Sequence, residues 1–189
     1  MNQTYSLNSQ KYLQCYNSLL SQMIQSMTSA TLLSSLSMTF INQMIPLHYA
    51  AIQMSKNLLL YTTNIPLQNI ACQIIENQTK SIQDMMNIYN KCSCENNQTD
   101  INSYLGSYEQ ISSTMFSSMK NAESNNDINI SFIHEMIPHH YGAIKMSKTL
   151  LQYPICDELY SILTTIISLQ EQDINQMSTL LKKLHSTKN

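Results

Sequence analysis

An internal duplication with an offset of 92 residues constrains the fold of this chain more than any other feature. The segment FINQMIPLHYAAIQMSK, residues 40–56, returns as FIHEMIPHHYGAIKMSK, residues 132–148. The same register holds from about residue 12 to the end of the chain. One repeat of this length cannot cover its own apolar faces, whereas two copies can cover each other's. The sequence therefore predicts two repeats, residues 1–94 and 95–189, that pack as one domain.

The residue types predict an all-α protein. The chain has two glycines and four prolines, and it contains neither valine nor tryptophan. It is therefore poor in residues that favour tight turns and β-strands. Apolar residues recur at steps of three and four in three stretches per copy, interrupted in the third stretch by Gln78 and Gln170. The expected helices cover about residues 8–34, 38–61 and 67–90, and then 100–122, 130–153 and 155–184. Their packing predicts a four-helix bundle formed by the second and third helices of each copy, flanked by the first helices.

Charge and hydropathy exclude two classes of partner. Charged residues make up 12% of the chain and the net charge is −2, so no basic surface for nucleic acid or anionic lipid is expected. No apolar run approaches the about 18 residues needed to cross a bilayer. The N-terminal residues also lack an apolar signal core, which leaves a cytosolic protein or one whose signal has been removed.

The five cysteines have no counterparts across the repeat, and an odd number cannot all pair with one another. They are Cys15, Cys72, Cys92, Cys94 and Cys156. A C-x-C pair without a second pair in register is a weak metal signal, so we favour a structural or incidental role for Cys92 and Cys94 over a metal site.

Methionine is placed by the repeat, because ten of the thirteen methionines form five pairs at the 92-residue offset. Among the five histidines only His48 and His140 form such a pair. His139 stands opposite Leu47, and Glu135 stands opposite Gln43. The second copy is therefore the richer in possible metal ligands.

Helical spacing brings several of these side chains to one face. Met136, His139 and His140 cluster on that face, and Ala143 leaves room beside them. Thioether sulfur with neutral imidazole suits Cu(I) or Ag(I), whereas Mg²⁺ and Ca²⁺ prefer oxygen. The candidate ligands are Met136, His139, His140 and Met146, with Met115 and Met119 as supplements, and Met44 and His48 in the first copy. Because a protonated imidazole cannot bind a metal, the ordinary histidine pKa predicts release below about pH 6.

Two other interpretations of the same residues stay open. Methionine at helical spacing is usually core filler, so the protein could be a structural or interaction bundle without a metal. A ferritin-like di-iron oxidase would need inward carboxylates and paired E-x-x-H motifs. We expect neither the inward carboxylates nor the paired motifs, since Glu135 and His139 are four residues apart. We therefore predict that the protein is not an enzyme. His134 and His185 are expected at the surface.

The motif MIPHHYGAIKMSK, with Phe132 before it and Gln170, Asp173 and Met177 after it, resembles the domain of unknown function 305 family. The second copy matches the signature at Met136, His139, His140 and Met146, and the first at Met44, His48 and Met54. The first copy departs from it at Leu47. It also departs at Ser81, which stands where the family has an acid. The resemblance implies a ferritin-like helical bundle, usually secreted or periplasmic. In CopM-like members it implies copper binding, and hence copper tolerance or storage and a copper-delivery or acceptor protein as partner.

Overall fold

Six α-helices form the protein, and the prediction of an all-α fold is confirmed. The computed structural model describes residues 5–94 and 101–186. The helices are α1 (Leu7–Thr28), α2 (Leu36–Leu59), α3 (Ile65–Ile88), α4 (Ile101–Lys120), α5 (Ile128–Leu150) and α6 (Asp157–Ser186), with a short 3₁₀ helix at Lys91–Cys94. The predicted boundary between residues 94 and 95 falls at the edge of the described residues.

Polar side chains fix where helices begin. Ser35 caps α2 and Asn64 caps α3, each by accepting a hydrogen bond from the backbone N–H three residues on. Asp127 caps α5 by accepting from the N–H of Asn129, two residues on.

The first helix is shorter than the sequence suggested, because it ends at Thr28 and not near residue 34. The hydroxyl groups of Thr28 and Ser29 donate to the carbonyls of Ile24 and Gln25, each at 2.8 Å. Such side-chain bonds take up carbonyls at the helix end and compete with helix continuation. The turn that follows supplies Ser35 as the next cap. By contrast, α2 and α5 continue through Pro46 and Pro138.

The four central helices form a closed ring. Helix α2 packs against α3 and α5, and α6 packs against the same two helices from the other side. Helix α1 lies on the outside of α2, and α4 lies on the outside of α5. One apolar core contains residues of both copies. This is the four-helix core that the sequence predicted, while the finer ferritin-like description stays a prediction.

The two copies exchange equivalent hydrogen bonds, which shows a pseudo-twofold axis. The Tyr16 hydroxyl donates to the carbonyl of Met119 at 3.0 Å, and the Tyr108 hydroxyl donates to that of Met27 at 3.5 Å. Both donors and both acceptors are 92 residues apart. Each first helix is therefore tied to the last turn of the other copy's first helix.

One disulfide joins Cys92, within the 3₁₀ helix, to Cys156, which immediately precedes α6. Both cysteines are buried, whereas Cys15 and Cys72 are exposed free thiols. The side chain of Cys94 lies outside the described residues. None of the described helices is both long enough and apolar enough to cross a membrane.

Candidate metal centre

His139 is held on α5 with one ring nitrogen committed and the other free. Its Nε2 lies 3.0 Å from the carbonyl oxygen of Leu47 on α2. A carbonyl can only accept, so Nε2 carries the proton and the neutral ring has its lone pair on Nδ1. That Nδ1 is buried and has no hydrogen-bond partner among the described residues. Because Leu47 and His139 are equivalent positions of the two copies, this contact lies on the pseudo-twofold axis.

His140, the next residue, shows the same arrangement with a carboxylate. Its Nε2 lies 3.2 Å from Oδ2 of Asp173 on α6, and its Nδ1 is buried without a partner in the described chain. The centroids of the His139 and His140 rings are 5.6 Å apart. Metal-binding histidines typically donate their second ring N–H to a carboxylate or a backbone carbonyl, which fixes the tautomer and the ring. Both histidines have such a partner here.

His48 is the counterpart of His140 in the first copy. It is equally buried, and its Nδ1 also lacks a partner among the described residues. Ser81 takes the place of Asp173, so the carboxylate that orients His140 has no equivalent beside His48. His48 can therefore add a nitrogen donor from the first copy, but its ring is not held by an acid.

Burial keeps the imidazoles of His139 and His48 neutral. Desolvation, reinforced by the charge of His140, lowers the pKa of His139 to about 3. Desolvation, together with His139 and His140, likewise lowers the pKa of His48 to about 3. The expectation of metal release below about pH 6 used the ordinary histidine pKa, and the lowered pKa of His139 and His48 moves the expected release to a lower pH.

Glu135 is a buried carboxyl on the same helix, and the sequence interpretation named this residue without predicting its burial. The Tyr12 hydroxyl on α1 donates a short hydrogen bond to its Oε2. Desolvation raises the pKa of Glu135 to about 8, against the opposing effect of that hydrogen bond. In the equivalent contact, the Tyr104 hydroxyl donates to Oε1 of Gln43 at 2.8 Å. The sequence signal for these two equivalent contacts was the 92-residue offset, which separates the two tyrosines and also separates Glu135 from Gln43.

The prediction that no carboxylate points inward is therefore wrong. Glu135 and Asp173 are both buried in the bundle. The paired E-x-x-H motifs of di-iron proteins are still absent from the sequence. Among residues 5–94 and 101–186, no three His, Cys, Asp or Glu side chains form a group that could hold a metal. The donor set that the site offers is imidazole nitrogen with methionine sulfur.

The methionines divide between two places. Met44 and Met136 are buried one helical turn before His48 and His140, on the same faces of α2 and α5. Met54 and Met146 are buried further along these helices. Met115 instead fills the contact between α4 and α5, where a Cβ added at Gly142 would collide with its side chain.

The supplementary ligand Met115 thus lies on the side of α5 away from His140. Gly142 follows His140 by two residues, which is about 160° around the helix. Met119 is buried at the end of α4, where its carbonyl accepts from Tyr16. Of the two histidines expected at the surface, His185 is exposed and His134 is half-buried.

Comparison with known proteins agrees with this architecture. The chain matches the family described as Domain of unknown function (DUF305) over residues 14–89 and 37–181. The chain belongs to the DUF305 family. A crystal structure of a DUF305 fragment from Deinococcus radiodurans is similar at a TM-score of 0.57 and 17% identity, covering 78% of this chain and 95% of the fragment. That likeness shows the fold. No curated protein matches the chain.

Proposed function

We propose that this DUF305 protein binds Cu(I), or Ag(I), and acts without catalysis in copper tolerance or storage. The observation that carries the proposal is the state of His139 and His140. Each has Nε2 held by an acceptor, and each has a buried Nδ1 with no partner among the described residues. A buried polar atom without a partner costs about 1–3 kcal/mol, so a ligand for these nitrogens would be stabilising.

The chemistry of the surroundings supports a soft monovalent ion. His139 and His48 are neutral at pH 7, methionine sulfur is neutral, and the raised pKa of Glu135 leaves much of that carboxyl protonated. A site with so little negative charge compensates a single positive charge better than a double one. Imidazole with thioether is also a donor set that Cu(I) accepts readily. Met136, His139 and His140 would hold the ion, with His48 and Met44 available from the first copy.

The proposed setting is outside the cytoplasm. The buried disulfide between Cys92 and Cys156 supports it, because disulfides persist mainly in oxidising compartments. A protein that stores or buffers copper there would exchange the ion with a copper-delivery or acceptor protein, which we propose as its partner.

Competition titration tests the proposal. Protein is titrated against a Cu(I) chelator under reducing conditions and, separately, with Zn²⁺. We expect Cu(I) to bind far more tightly than Zn²⁺, and to stay bound at pH 5 because burial lowers the pKa of His139 and His48 to about 3. Equal affinity for both ions would contradict the proposal.

Matched double variants identify the ligands. Met136→Leu with His140→Leu is expected to lower Cu(I) affinity by about 100-fold or more, since loss even of a residue that orients a ligand costs 10–100-fold. The equivalent change in the first copy, Met44→Leu with His48→Leu, is expected to have a smaller effect, because Ser81 cannot orient His48. Leucine roughly preserves core volume, so both variants should fold. No loss in either would favour the alternative of a structural bundle without a metal, whereas bound iron would favour the oxidoreductase.

A further inference from the structure

A pocket between α3 and α6 leads from the surface to His48, one of the three buried histidines. Its cavity volume is about 150 Å³. The buried residues that line it are His48, Gln78, Ile166, Gln170 and Asp173. Asp173 is also the residue that orients His140. The pocket therefore touches one histidine directly and the hydrogen-bond partner of another.

The lining of this pocket has unused hydrogen-bonding capacity. Gln78 and Gln170 are equivalent positions of the two copies, 3% and 2% exposed, and the Oε1 atom of each has no partner among the described residues. The Ser81 hydroxyl beside them is in the same state. Such oxygen atoms favour a polar or cationic occupant, because leaving them dry is costly.

A second pocket provides the comparison. It opens between α4 and α5 and is lined by Met115, Tyr141 and Gly142. Gly142 lies about 160° around α5 from His140, so this pocket faces the other side of the helix. Its lining includes none of the three buried histidines.

We propose that the cation reaches the histidines through the α3–α6 pocket, with Gln78, Gln170 and Asp173 as transient oxygen ligands along the way. This inference rests on the proposed function. Oxygen binds Cu(I) and Ag(I) weakly compared with imidazole and thioether. Such ligands replace part of the hydration shell during passage and release the ion to the softer donors beyond them.

A pair of matched variants separates the two pockets. Thr165 lies at the α3–α6 pocket and Thr114 at the α4–α5 pocket, and both are exposed. Each hydroxyl donates to the carbonyl four residues earlier in its helix, at 2.9 Å and 2.8 Å. Thr165→Leu and Thr114→Leu thus lose the same interaction and gain the same apolar bulk, and they differ in the pocket that they obstruct.

The experiment measures the rate of Ag⁺ binding by stopped-flow tyrosine fluorescence, alongside affinity from equilibrium dialysis. We expect Thr165→Leu to lower the association and dissociation rate constants together by about 10-fold, within the range that variants of one site show. The dissociation constant stays the same, since the final ligands are unchanged. Thr114→Leu should match the unmodified protein in all three quantities.

A charge at the rim gives an independent measurement. Lys80 forms an exposed ion pair with Asp84 at 2.7 Å, and both residues line the pocket. Lys80→Ala removes a positive charge from the path of a cation and leaves the Asp84 carboxylate there. We expect faster Ag⁺ association at low ionic strength, with the gain lost at high salt because screening shortens the reach of the charge.

The outcomes distinguish this inference from the proposed function. If the unmodified protein binds no Ag⁺, both are overturned, because a route requires a destination. If Ag⁺ binds and Thr165→Leu associates as fast as Thr114→Leu, only the route is overturned. Slower Ag⁺ association in Thr114→Leu, either alone or to the same extent as in Thr165→Leu, would overturn the route as well. Slowing by Thr165→Leu alone, with acceleration by Lys80→Ala, supports it.

Discussion

Glu135 and Gln43 are equivalent residues that accept equivalent hydrogen bonds, from Tyr12 and Tyr104 respectively. Only Glu135 can ionise. Its pKa is raised to about 8 by burial, so the folded protein holds this proton more tightly than the unfolded chain does. The unfolded carboxyl ionises above its ordinary value of 4.5. Stability from this residue is therefore complete below about pH 4.5 and is lost as the pH rises to about 8.

Glu135→Gln should remove this dependence on pH. The glutamine can accept the Tyr12 hydrogen bond as Gln43 accepts that of Tyr104. We expect the free energy of unfolding at pH 8 to rise by on the order of 4 kcal/mol, and to change little at pH 4. Urea denaturation at both pH values measures the difference.

The equivalent exchange in the first copy is the control for that prediction. Gln43→Glu places a second ionisable carboxyl in the same kind of site, so it should destabilise the protein at pH 8 and not at pH 4. An unchanged pH profile in both variants would show that Glu135 is ionised in the folded protein.

At the level of helices, the hydroxyls of Tyr16 and Tyr108 hold α1 and α4 together across the pseudo-twofold axis. Each binds a carbonyl in the last turn of the other helix, where backbone acceptors are left without helical partners. The two bonds differ in length, at 3.0 Å and 3.5 Å, and a hydrogen bond weakens with length.

Tyr16→Phe is therefore expected to cost about 1 kcal/mol of stability, and Tyr108→Phe less than half of that. Phenylalanine keeps the ring packing in both cases, so the comparison isolates the hydroxyl. Thermal or chemical denaturation of the two variants gives the answer. A larger loss of stability in Tyr108→Phe than in Tyr16→Phe would mean that the lengths of these two hydrogen bonds do not set the difference between the copies.

For the whole molecule, the disulfide between Cys92 and Cys156 closes a loop over a sequence separation of 64 residues. It ties the segment between the two copies to the start of α6. A closed loop of this size limits the unfolded chain, and its removal typically costs about 2–5 kcal/mol.

Reduction, or Cys92→Ser with Cys156→Ser, should lower the melting temperature clearly. Because both cysteines lie away from the histidines in sequence and neither is a proposed ligand, Cu(I) affinity of the folded protein should not change. Cys15→Ser with Cys72→Ser is the control, since these exposed thiols are free. A melting temperature insensitive to reduction would show that the bridge adds no stability.

The sequence alone determined the repeat, the helical class and the residue types of the candidate centre. Helical periodicity is a local property, so the inward faces of α2 and α5 followed from spacing, and Met136, His139 and His140 are all buried as expected. The end of α1 was misjudged because hydroxyl groups that compete for carbonyls look like ordinary helix residues in a sequence.

Only the tertiary structure decided which atoms meet. The tautomer of His139 depends on a carbonyl 92 residues away, and the raised pKa of Glu135 depends on burial by the surrounding helices, against the opposing hydrogen bond from a tyrosine 123 residues away. The pairing of Cys92 with Cys156 and the separation of Met115 from His140 follow from how helices are placed against one another. Spacing along one helix cannot report such contacts, because hydrogen bonding and desolvation depend on neighbours that chain folding brings from elsewhere.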